Sequence, residues 1–81
     1  MRLDKFLKVS RLIKRRTVAN SVSESGRVLV NGSQAKPAKQ LKVGDIIEIE
    51  YANRTEKFEV IVVPTGNVSV QEASALYKTL D

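Results

Sequence analysis

Leu3, Phe6 and Leu7, with Ser10 one turn further on, recur at the spacing of a helix face and predict a short helix from about Leu3 to Ser10. Asp4 in its first turn complements the helix dipole and is placed to pair with Lys8, four residues on. Leu12 and Ile13 read as a buried connector. A second helix from about Arg16 to Ser25 would bury Val18, Ala19 and Val22, and Gly26 is suited to stop it. Two short helices joined by a basic linker suggest a helix-turn-helix, but no third helix precedes them and the period then changes.

Arg27-Val28-Leu29-Val30 reads as a strand, and Asn31-Gly32 is the strongest short hairpin signal a sequence offers. Residues 33–42 are polar and irregular, with extended backbone forced at Lys36 by Pro37. Gly44-Asp45 is a turn. Ile47, Ile49 and Tyr51 then alternate with Glu48 and Glu50 in a half-buried strand. Asn53-Arg54 closes a hairpin onto a strand in which Phe58, Val60 and Val62 face one way, ended by Pro64-Thr65-Gly66. Ser69 to Glu72 is a capping box opening a terminal helix with Ala73, Leu76, Tyr77 and Leu80 on its apolar face. The expected class is α+β: two short N-terminal helices, a small antiparallel sheet and a C-terminal helix.

The 81 residues make one domain with a thin core and little interior for an enclosed active site. Cysteine and histidine are both absent, so disulfides, thiolate metal sites and the usual general base are excluded. No serine–histidine pair, phosphate-cradling glycine run or cluster of metal ligands is present. Glu48 and Glu50 share a strand face and could be read as an acid–base pair; we read them as solvent-facing charges that protect a sheet edge. The expectation is a protein that is not an enzyme and uses no cofactor. No apolar run approaches the roughly 20 residues that span a bilayer, and no signal-peptide stretch follows Met1-Arg2-Leu3-Asp4-Lys5, so a cytoplasmic protein without membrane contact is expected.

Net charge is +5, and its distribution says more than its total. Residues 1–16 carry seven cations against Asp4 alone, whereas residues 43–81 carry three against seven carboxylates. Such a polarised field orients a molecule on a polyanion. A plain solvated charge run is the alternative, but here the cations interleave with a regular apolar set and so sit on folded elements. Arg2, Lys5 and Lys8 follow the first helix, Arg11 and Lys14 the connector, and Arg15 and Arg16 the start of the second helix, where free amides favour phosphate. Arg27, Asn31 and Lys36 extend the candidate surface into the turn region. Phe6, Tyr51, Phe58 and Tyr77 all fit the apolar pattern, which disfavours single-strand stacking and favours structured RNA read by shape and backbone.

Arg2-Leu3-Asp4-Lys5-Phe6-Leu7, Arg16 with Ala19, Gly26-Arg27-Val28-Leu29-Val30-Asn31-Gly32 and Gly44-Asp45-Ile46 together resemble the RNA-binding domain of small-subunit ribosomal protein S-four, over about residues 2–50. The resemblance leaves a β-hairpin and helix for residues 51–81 of the single domain. Arg15 departs from the family, which commonly has a helix-capping serine there, so a cap is lost and a cation gained. Residues 1–20 and the ending Glu72-Ala73 through Leu76-Tyr77 further resemble the stand-alone RqcP (YabO) family of bacterial ribosome-associated quality control. That resemblance implies binding to the large ribosomal subunit through rRNA and peptidyl-tRNA. It also implies work beside RqcH in alanine tailing of stalled chains and central roles for Arg2, Asp4 and Arg16. A monomer is expected. The alternatives are a heat-shock-type factor that recycles stalled large subunits, a ribosome-assembly RNA-binding protein, and the targeting module of a pseudouridine synthase. The heat-shock family has a long basic extension where this chain reaches an acidic end, and the synthase would need a catalytic domain.

Overall fold

The computed structural model describes residues 1–66 and 68–80. Helix α1 (Leu3–Val9) buries Leu3, Phe6 and Leu7 completely, the side predicted by their spacing. Burial of each such side chain contributes about 1.5–3 kcal/mol. A connector leads to α2 (Arg16–Glu24), which starts at Arg15 with no side-chain cap. Gly26 ends α2 at φ +82°, its amide donating to the Ser23 carbonyl while the Arg27 amide donates to Val22. This pair of bonds satisfies the last free carbonyls and needs a left-handed residue, which glycine supplies without steric cost.

Five antiparallel strands follow: β1 (Val28–Val30), β2 (Ser33–Gln34), β3 (Ile46–Glu50), β4 (Thr55–Val60) and β5 (Tyr77–Leu80), in the order β2-β1-β3-β4-β5. Asn31 and Gly32 both have positive φ, so the β1–β2 turn is the two-residue hairpin expected of Asn-Gly. Ile47 and Ile49 of β3 face Phe58 and Val60 of β4 in one core with the apolar face of α1.

Several expectations are corrected. The capping box at Ser69 exists, but the helix it opens, α3 (Val70–Ala73), lasts one turn. A tight turn over Ser74–Leu76 follows, and Tyr77 and Leu80 lie in β5, not on a helix. Tertiary pairing overrides the helical spacing here: β5 satisfies the open edge of β4, and Tyr77 meets Phe58 edge to face at 5.4 Å. Val18 is exposed, because α2 packs through the small residues Ala19 and Ser23, with Val22 only partly buried. Val62 and Tyr51 are also exposed, Tyr51 lying under the guanidinium of Arg54 at 4.7 Å. Glu48 guards no edge: β3 is interior to the sheet, and Glu48 pairs with Lys57 across to β4 at 3.9 Å.

The start of α1 is pinned from afar. The Leu3 amide donates to Lys39, the Asp4 amide to Pro37, and the Leu41 amide to Met1, while Arg2 bridges Gln40. These bonds set the position of Arg2 and Asp4 relative to the rest of the fold.

Candidate nucleic-acid interface

Asp4 is 2% exposed, on the flank of α1 that faces α2. It does not pair with Lys8 as its spacing suggested. Arg2 donates to it through Nε (3.2 Å) and Nη2 (3.3 Å), the Lys5 amide donates at 2.8 Å, and Asn20 donates through Nδ2 at 3.3 Å. Arg16 Nη2 lies 3.6 Å from Oδ1. Burial alone would raise the pKa of this carboxyl. The Asn20 bond, the Arg16 charge, the Lys5 amide and the Arg2 charge together outweigh burial and hold it below its ordinary value. Asp4 is therefore an anion at neutral pH, with two arginines gathered around it.

Those arginines keep their outer faces in water, their side chains 45% (Arg2) and 48% (Arg16) exposed. With Asp4, Thr17, Asn20 and Ser21 they line an open cleft of about 550 Å³ between the helices. Without a carboxylate between them two guanidiniums would repel; with it they form a two-pronged cationic edge. Arg2 spends Nε and Nη2 on Asp4, which leaves Nη1 for a ligand anion.

Lys5, Lys8, Arg11 and Lys14 line a second hollow with Val9, Gly66 and Val68, and no carboxylate among the described residues contributes to it. Lys5 also borders a third hollow with Arg2 and Arg16, so the two basic groups adjoin. Arg11 has φ +63°, a left-handed conformation unusual for a residue with a Cβ, where α1 turns into the connector. Arg15 is exposed immediately before Arg16.

The remaining expected residues lie elsewhere. Arg27 lines an apolar groove with Leu12, Ile13, Val18, Val22 and Tyr51. Lys36 pairs with Glu24 at 3.9 Å, both exposed. The amide of Asn31 is engaged in the fold: it donates to Asp45 Oδ1 at 3.1 Å and accepts from the Ile46 amide at 2.9 Å. Asn20, Thr17 and Ser21 were not foreseen. The available signal was helical spacing, since Asn20 follows Arg16 by four residues on α2.

Residues 1–47 match the family model described as S4 domain. The chain is 50% identical to the RQC P-site tRNA stabilizing factor of Halalkalibacterium halodurans, over 96% of this chain and 88% of that one. It is 44% identical to the protein of the same name from Streptococcus pneumoniae, over 99% of this chain and 90% of that one. The trimeric structure of Vibrio cholerae heat shock protein 15 superposes with a TM-score of 0.88 at 30% identity, covering 99% of this chain and 81% of that one.

Proposed function

We propose, for a chain that belongs to the family of RQC P-site tRNA stabilizing factors and carries an S4 domain over residues 1–47, that it is a non-enzymatic RNA-binding factor of ribosome-associated quality control. In this reading it binds the large ribosomal subunit through rRNA and peptidyl-tRNA, in the cytoplasm, and supports RqcH-dependent alanine tailing of stalled chains. The carrying observation is the buried Asp4 carboxylate with Arg2 and Arg16 fastened to it at the rim of an open cleft. A phosphate entering there meets pre-oriented guanidiniums, so little side-chain ordering remains to oppose binding.

Lys5, Lys8, Arg11, Lys14 and Arg15 extend the cationic surface and supply further phosphate contacts. Arg27, Asn31 and Lys36 belong to the outer part of the same proposal. The anionic half of the chain lies in the sheet strands and beyond, which orients the molecule with the helices toward RNA.

Sedimentation of the purified protein with isolated large subunits, and with subunits carrying peptidyl-tRNA, tests the reading. Co-migration that strengthens with peptidyl-tRNA is the expected result. If four to six phosphates are neutralised, log affinity for structured RNA falls against log salt with a slope of about −3 to −5. A slope near zero would remove the cationic surface as the source of affinity.

A further inference from the structure

The cleft between α1 and α2 has a charged part and an uncharged floor beside it. Arg2 and Arg16, fastened to Asp4, form the charged part; Thr17, Asn20 and Ser21, on one face of α2, line the rest. Phosphate grips account for the arginines and leave the floor unexplained. Asn20 is the informative member. A carboxylate only accepts hydrogen bonds, so the amide must turn its NH2 group toward Asp4, as it does at 3.3 Å. Its Oδ1 is then fixed as an acceptor, and it takes no hydrogen bond from any of the described residues. Thr17, three residues earlier on the same face, adds a hydroxyl.

We infer that Asn20 and Thr17 read the ribose 2′-hydroxyl of a nucleotide whose phosphate is held by Arg2 and Arg16, so that the cleft selects RNA over DNA. The 2′-hydroxyl is both donor and acceptor, which suits an amide oxygen beside a threonine hydroxyl. It also belongs to the same backbone unit as the phosphate, as the closeness of the floor and the charged part requires. A base is the poorer fit, because no aromatic side chain lines this cleft to stack on it.

The inference rests on the RNA-binding reading, and one experiment separates the two. A labelled RNA hairpin is compared with its 2′-fluoro counterpart at fixed ionic strength; fluorine keeps the A-form sugar pucker but cannot donate. Wild-type protein should bind the natural hairpin about three- to tenfold more tightly, as expected for one lost hydrogen bond. Asn20→Ala also loosens Asp4 and should weaken both hairpins, but the natural one more, bringing the two within about twofold, the lower bound of that same bond. Thr17→Val, a nearly isosteric change at an exposed position, should narrow the preference as well and stands in if Asn20→Ala fails to fold. Equal wild-type affinity for both hairpins, with a steep salt slope, overturns the inference and leaves RNA binding intact. Binding to neither hairpin overturns both. A preference that survives intact in folded Asn20→Ala and Thr17→Val protein overturns the assignment to these side chains.

Discussion

Asn20 of α2 and Asp4 of α1 meet at 3.3 Å across sixteen residues of chain, and this bond joins the two helices at the point where their arginines converge. It gives Asp4 a neutral partner, one that carries no charge to attract or repel a phosphate. The carboxylate is thereby a fixed anchor for the arginines and not merely a counter-ion.

Replacing the anchor tests this directly. Asp4→Asn should cost about 1–3 kcal/mol in a urea titration, because part-buried donors lose their charged, buried acceptor. Asp4→Arg adds positive charge, so a purely electrostatic surface would bind RNA more tightly. We expect weaker association with large subunits on sucrose gradients and reduced alanine tailing. Tighter, still subunit-specific association would sink the anchoring role.

Acid should reveal the same group. The folded-state pKa of Asp4 lies below its ordinary 3.8, so its contribution is present above the unfolded-state value and is lost as pH falls through the folded one. The stability gap between wild type and Asp4→Asn should therefore be constant near neutrality and shrink below about pH 4. Thermal melts of both proteins across that interval measure it, and a gap that widened in acid would contradict the sign.

Arg16→Ala should leave the core intact, shifting stability by no more than about 1 kcal/mol, because its pair with Asp4 is half exposed. It should nevertheless reduce affinity for structured RNA and flatten the salt slope by about 0.7–0.9, one phosphate contact. Fluorescence anisotropy at several salt concentrations reads both quantities.

Arg11 is held at φ +63°, where glycine would be relaxed. Arg11→Gly should raise stability by about 0.5 kcal/mol, less than the full relief because glycine gains entropy when unfolded. The same change should weaken RNA binding. A variant both less stable and unchanged in binding would show that Arg11 neither strains the turn nor contacts RNA.

Asn31→Ala should lower stability, costing about 1–2 kcal/mol because it strips a donor from the buried Asp45 and places alanine at positive φ. The side chain is uncharged and its amide is engaged in the fold, so the salt slope of the folded variant should stay at the wild-type value.

Much of this fold was readable because its strongest signals are local. The Leu3, Phe6, Leu7 spacing, Gly26 and the Asn31-Gly32 turn each specify geometry within a few residues. The C-terminal end was misread for the opposite reason: Ala73, Leu76, Tyr77 and Leu80 satisfy a helical period, and only the open edge of β4 makes a strand of the last four described residues. At the site, the density of cations was evident from sequence. The partners of Asp4 were not, because Arg16 and Asn20 reach it across the connector, whereas Lys8 was the obvious neighbour on its own helix.

The pinning of α1 by residues 37–41 has a consequence for assembly as the chain is made. Arg2, Asp4, Arg16 and Asn20 are synthesised early, and the two helices could meet within the first twenty residues. The seat of Leu3 needs the carbonyl of Lys39, and Met1 is held by the amide of Leu41. Closing that long loop carries an entropic cost that one short helix, marginal in water by itself, cannot offset. A nascent chain halted before Pro37 should thus carry the whole set of cleft residues with no cleft, and competence to bind should appear only after residue 41 has docked and the strands that complete the core have emerged.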